Sequence, residues 1–81
     1  MPYLAKMDRN RIDSGERPTT PGELNYALIR MALTYVARKG LSYRVINDVL
    51  GAFSGASQEF YRRVAAEYEQ QKCIENGDVF A

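Results

Sequence analysis

Between Val45 and Tyr68 the apolar residues hold one helical phase, and they hold it across two glycines. Val45 or Ile46, Val49, Leu50, Phe53, Ala56 or Ser57, Phe60, Tyr61, Val64, Ala65 and Tyr68 recur at the three- and four-residue steps of an α-helix. Ser42 is placed to cap the start, and "ENG" after Ile74 is a stop signal, so the 42–72 region reads as helix. A phosphate-cradling loop in "LGAFSGASQEFYRR" would interrupt the phase, and nothing here does. Each glycine costs about 1 kcal/mol against alanine in a helix interior. A break near Ser54 and Gly55 would divide the region into two helices, so a long helix and a broken one both remain open.

The stretch "TTPGELNYALIRMALTYVARKG" predicts a second helix over 21–39. Thr20 is a good N-cap, Pro21 suits the first helical position, and Glu23 completes a Thr-x-x-Glu capping box. Leu24, Leu28, Met31, Tyr35 and Val36 fall at helical spacing. Gly40 follows Arg38 and Lys39, as expected where a helix stops and basic side chains face the negative end of its dipole. Residues 1–20 read as an arm and loop, with a short helical turn near "KMDRNRID". Residues 76–81 read as an extended tail. "DVFA" is suited to pair with "PYLA" as a two-strand patch, or to place Val79 and Phe80 in a neighbouring subunit. The expected fold is therefore all-α: one domain, two or three helices in an antiparallel bundle, with 21–39 packed against 42–72 and extended termini.

A chain of 81 residues buries only about 60% of its unfolded surface, which is marginal for a monomer. Its single cysteine, Cys73, excludes an intrachain disulfide, and the absence of histidine removes the common metal-ligand sets and the commonest general base. No metal or cofactor is expected, and a homo-oligomer is the expected source of added stability. With 11 basic and 10 acidic residues the net charge is +1, which disfavours a dedicated nucleic-acid binder. No apolar run approaches the roughly 18 residues of a membrane span. "MPYLAKMDRNRID" carries charges where a secretory signal needs an apolar core. The expected setting is a reducing cytoplasm.

The glycines of "GAFSGAS" do not make a nucleotide loop. They are four residues apart, no lysine follows, and a helical pattern precedes them. Gly51 and Gly55, with Ala52 and Ala56 beside them, instead form a small-residue face that lets another helix approach closely. One turn later, Tyr61, Arg62 and Arg63 are candidates for anion binding, the arginines gripping phosphate and the tyrosine stacking on a base. Pairing of Arg62 and Arg63 with Glu59 on a solvated face is the plainer reading of the same residues. Tyr43 and Arg44 form a second aromatic-basic pair. Asn25 and Tyr26 lie in the first turn of the 21–39 helix, where free N–H groups attract anions. The carboxylates fall into no catalytic constellation, so enzymatic activity is not expected.

The stretches "GELNY", "EFYRR" and "ENGDV", within a layout that runs over nearly the whole chain, resemble a family of small, functionally uncharacterised proteins found mainly in tailed phages and prophages. That resemblance carries no activity and no site residues; it implies an accessory protein in the host bacterial cytoplasm. Some small phage proteins resemble sponges that sequester nucleotide second messengers of antiphage signalling. Such sequestration requires arginine and tyrosine but no catalytic group. The expected function is a homo-oligomeric binder of a small anionic ligand, with a nucleotide immune signal as the favoured class. Two alternatives compete: an adaptor or inhibitor that presents a helix face to a host protein, and, least supported, a nucleic-acid-binding regulator.

Overall fold

The computed structural model describes residues 4–80. The protein is all-α, with helices α1 (Lys6–Asp13), α2 (Pro21–Lys39), α3 (Tyr43–Phe60) and α4 (Ala66–Asn76), and a π-helical segment, Tyr61–Ala65, joining the last two. Among the described residues there is no strand. The pairing of "PYLA" with "DVFA" involves Pro2, Tyr3 and Ala81, which lie outside the described residues. The chain divides into two units, Met1–Ile46 and Asn47–Ala81.

In the first unit α1 packs on α2. Leu4, Ile12 and Tyr26 form its buried cluster, with Ala27 against it. Helix α1 ends where the Ser14 N–H reaches the Asn10 carbonyl and the Ser14 hydroxyl donates to the Arg11 carbonyl at 2.7 Å. Gly15 then turns the chain at φ 106°, a left-handed value that a side chain would strain. Helix α2 starts on Thr20, whose Oγ1 accepts from the Glu23 N–H at 3.1 Å, with Pro21 at the first position. The other half of the expected capping box is altered. The Glu23 carboxylate accepts from the Thr19 N–H at 3.1 Å and the Thr19 hydroxyl at 3.2 Å. It reaches one residue further back than Thr20 because Arg11 draws its second oxygen towards α1. Gly40, at φ 87°, closes α2 with its N–H on the Val36 carbonyl.

Ser42 caps α3: its Oγ accepts from the Val45 N–H at 3.2 Å and its carbonyl from the Ile46 N–H at 2.9 Å. The second unit consists of the remainder of α3, the π segment, α4 and the tail. Helix runs through Gly51 and Gly55 without a break, and the backbone is helical over 43–76, about 50 Å at 1.5 Å per residue. Gly77, at φ 82°, ends α4. Among the described residues this unit holds one continuous helical run, and Leu50, Phe60, Val64 and Tyr68 are all exposed. In the 78–80 tail the Phe80 N–H donates to Asp78 Oδ1 at 2.9 Å.

Candidate functional site

Tyr61, Arg62 and Arg63 fall together on the π-helical segment. A π turn carries an extra residue and re-aims the side chains after it, and such turns recur at functional sites. Both guanidinium groups converge on one carboxylate: Arg62 Nη2 donates to Glu59 Oε2 and Arg63 Nε to Oε1, the latter at 2.9 Å. Two cations share one anion, so the cluster keeps one net positive charge. Their side chains are 71% and 72% exposed, which leaves the outward N–H groups of each fork facing solvent. The Tyr61 hydroxyl donates to Glu69 Oε2 at 3.1 Å, and this hydrogen bond, followed by the carboxylate's charge, holds the phenol above its ordinary pKa. The plainer expectation of i,i+3 and i,i+4 pairing is thus part of the geometry. It leaves the arginines close together and outward-facing.

The other sequence candidates take different positions. Tyr43 and Arg44 are both exposed at the start of α3, and Arg44 has no ion-pair partner among the described residues. Asn25 is exposed on α2. Tyr26 is a core residue: its ring is buried with Leu4 and Ile12, and its hydroxyl donates to the Asp13 carboxylate at 2.8 Å. Arg30 lies over the same ring, 5.4 Å from its centroid, and donates to the Tyr26 oxygen at 3.0 Å. That hydrogen bond, then the nearby Asp13, raises the Arg30 pKa. Tyr26 therefore positions a cation and keeps its own hydroxyl engaged. Gly51, Ala52, Gly55 and Ala56 are exposed, and a Cβ added at either glycine would meet no neighbouring atom.

The first unit also carries polar structure that the sequence analysis did not anticipate. Glu23 is 4% exposed, and a buried carboxylate needs a partner. Arg11 supplies it: Nη2 reaches Glu23 Oε2 at 2.8 Å and Asp8 Oδ1 at 2.9 Å, and Nη1 reaches Glu16 Oε2 at 3.0 Å. The hydrogen bonds to Asp8 and Glu16 and the charge of Glu23 push the Arg11 pKa further above its ordinary value. The Asp8 contact is an i,i+3 pair within α1, whereas the contacts to Glu16 and Glu23 depend on the turn at Gly15. Beside this network lies an open groove of about 490 Å³, lined by the apolar Ile12, Pro18, Ala27 and Met31 and by the charged Glu16, Arg17 and Arg30.

Among the described residues there is no group of three or more metal-ligating side chains, and no helix is long and apolar enough to cross a membrane. Residues 1–79 match the family described as Domain of unknown function (DUF6899), and the chain belongs to that family. No curated protein and no solved structure matches the chain.

Proposed function

From membership of a family with no assigned function, we propose that this protein is a non-enzymatic, homo-oligomeric binder of a small anionic ligand, a nucleotide signal being the favoured class. The observation that carries the reading is the convergence of Arg62 and Arg63 on Glu59 within a π turn that also holds Tyr61. Paired guanidinium forks are the side chains best matched to phosphate, and an adjacent tyrosine offers a ring for a base. Ligand phosphate either displaces Glu59 or completes the charge balance beside it. Tyr43 and Arg44 from a second copy supply the other wall, with Asn25 as a further polar contact. Tyr26 contributes through the Arg30 that it holds.

Self-association belongs to the same proposal. Among the described residues the long helix is one continuous run in its own unit, and the small-residue face at Gly51 and Gly55 is open. Pairing of 21–39 with 42–72 in antiparallel fashion, within one chain or between two, would cover that stripe. The biological setting consistent with this reading is a phage accessory protein that sequesters an antiphage signal in the host cytoplasm.

Isothermal titration of the folded protein against cyclic mono- and dinucleotides and cyclic ADP-ribose isomers tests the proposal. Saturable binding that Arg62→Ala and Arg63→Ala each weaken is the expected result; no heat across the panel from a folded oligomer would sink it. A second reading draws on the exposed apolar residues of α2, among them Leu24, Leu28, Met31 and Leu33. They suit an adaptor that docks on a host protein, for which substitutions on α2, and not at Arg62 or Arg63, would abolish capture of one specific partner.

A further inference from the structure

The groove of the first unit and the tail of the second are chemically matched. Four apolar side chains, Ile12, Pro18, Ala27 and Met31, line the groove together with two arginines, Arg17 and Arg30. Arg30 is steadied by Tyr26 and by Asp13 at 3.5 Å, whereas Arg17 has no ion-pair partner among the described residues. Glu16 also lines the groove and bonds to Arg11 at 3.0 Å, so the groove's own charged lining is two bases and one acid. The groove is open to solvent along its length, with a volume of about 490 Å³, which suits a short segment laid across it.

The tail offers the complementary chemistry. Val79 and Phe80 are 88% and 94% exposed at the end of a helix about 50 Å long. Two adjacent large apolar side chains left so open at the end of an element are costly in water. Asp78 precedes them, and its Oδ1 caps the Phe80 N–H in a local turn, presenting the carboxylate beside the two side chains. An apolar anchor flanked by an acid fits a groove whose lining is mainly apolar with a net basic charge.

We infer that the 78–80 tail of one copy docks in the groove of a second copy, with Phe80 and Val79 between Ile12, Ala27 and Met31 and Asp78 on Arg17. This names one interface of the self-association proposed above, on which it rests; it does not depend on the ligand at Arg62 and Arg63. Reciprocal exchange of tails closes a two-fold dimer, and one-way docking builds a ring or filament.

Disulfide trapping in the full chain tests it. In a Cys73→Ser background, a Val79→Cys protein is mixed with a Thr34→Cys protein, Thr34 lying at the groove wall, and oxidised with glutathione disulfide. The expected product is the mixed disulfide, formed well ahead of that from a control pair with Gln58→Cys in place of Thr34→Cys. A charge swap gives the second readout. Arg17→Glu and Asp78→Arg should each weaken association about tenfold, and combined in one chain they should restore it. Sedimentation of the unmodified protein separates the possible failures. If it assembles but the trap matches the control, or the swap does not restore association, tail docking is wrong and the oligomer stands. A double-cysteine chain that closes only on itself also overturns the inference. A monomer at every concentration removes both the inference and the self-association beneath it.

Discussion

The two units of this chain obtain their order in opposite ways. In the first, a short helix is fastened to a longer one by a small apolar cluster and by a guanidinium that reaches three carboxylates, one of them buried. In the second, one helical run ends in an apolar tail, and its ion pairs are local and exposed: Glu59 with Arg62 and Arg63, and Lys72 with Glu75. Local exposed pairs add only a few tenths of a kcal/mol each to a helix. Helices in proteins are stabilised mainly by packing of their apolar face. The contrast teaches that a small chain can fix one part with a polar staple and leave the apolar side chains of another part open to solvent.

The staple gives the largest expected effect. Glu23→Ala removes acceptors for the Thr19 N–H, the Thr19 hydroxyl and Arg11, and it should destabilise the first unit by about 2 kcal/mol. Glu23→Gln keeps an acceptor for Thr19 but loses the charge opposite Arg11, so its effect should be smaller. Hydrogen exchange resolves the units. Amides of α1 and the first turns of α2 should lose protection, while those of 47–76 keep theirs. Equal loss in both units would show that the staple serves the whole chain and would break the comparison.

Helix α2 was legible because its signals are local: Thr20, Pro21 and Gly40 each act on backbone groups within one turn. The uninterrupted helix through Gly51 and Gly55 was legible only as one of two alternatives. Side-chain phase favours continuity, and glycine propensity opposes it by an amount too small to decide. The role of Glu23 was half legible. Its spacing from Thr20 announced a cap, but the bond to Arg11 crosses 12 residues and depends on how Gly15 turns the chain. Tyr26 shows the same limit: position in a first turn suggested an anion site, whereas packing with Leu4 and Ile12 makes it core. Nothing in the residues announced the π turn at Tyr61–Ala65, which is a change of backbone hydrogen-bond register and leaves no composition signal.

A second, smaller effect probes whether the long helix is used as a surface. Gly55→Ala meets no neighbouring atom in the single chain, so helix propensity alone should stabilise the isolated helix by about 1 kcal/mol. If the small-residue face packs on another subunit, the added methyl groups stand in the seam and weaken association. Circular dichroism at low concentration should therefore gain helicity as sedimentation at high concentration loses mass. Gains in both would mean that the face stays in water. The two units would then differ in how they hold themselves together, but not in whether they serve as a contact surface.

The smallest expected effect lies in the π segment and concerns protonation. The Tyr61 phenol is raised above its ordinary value of about 10, first by its hydrogen bond to Glu69 and then by the carboxylate's charge. A raised phenol binds its proton more tightly in the folded state than in the unfolded one. Its contribution is complete below the ordinary value and is lost as pH rises through the raised one, where ionisation sets phenolate beside carboxylate. The group is exposed, so the change in stability should be slight, and the titration itself is the better readout. In Glu69→Ala, phenolate absorbance equivalent to one of the six tyrosines should appear at lower pH than in the unmodified protein. If the ligand of the proposed site engages Tyr61, its saturation should erase that difference by removing the phenol from Glu69 in both proteins. Identical titration curves before ligand is added would mean that the Tyr61–Glu69 contact does not persist in solution, and the π turn would lose a side-chain bond that ties it to α4.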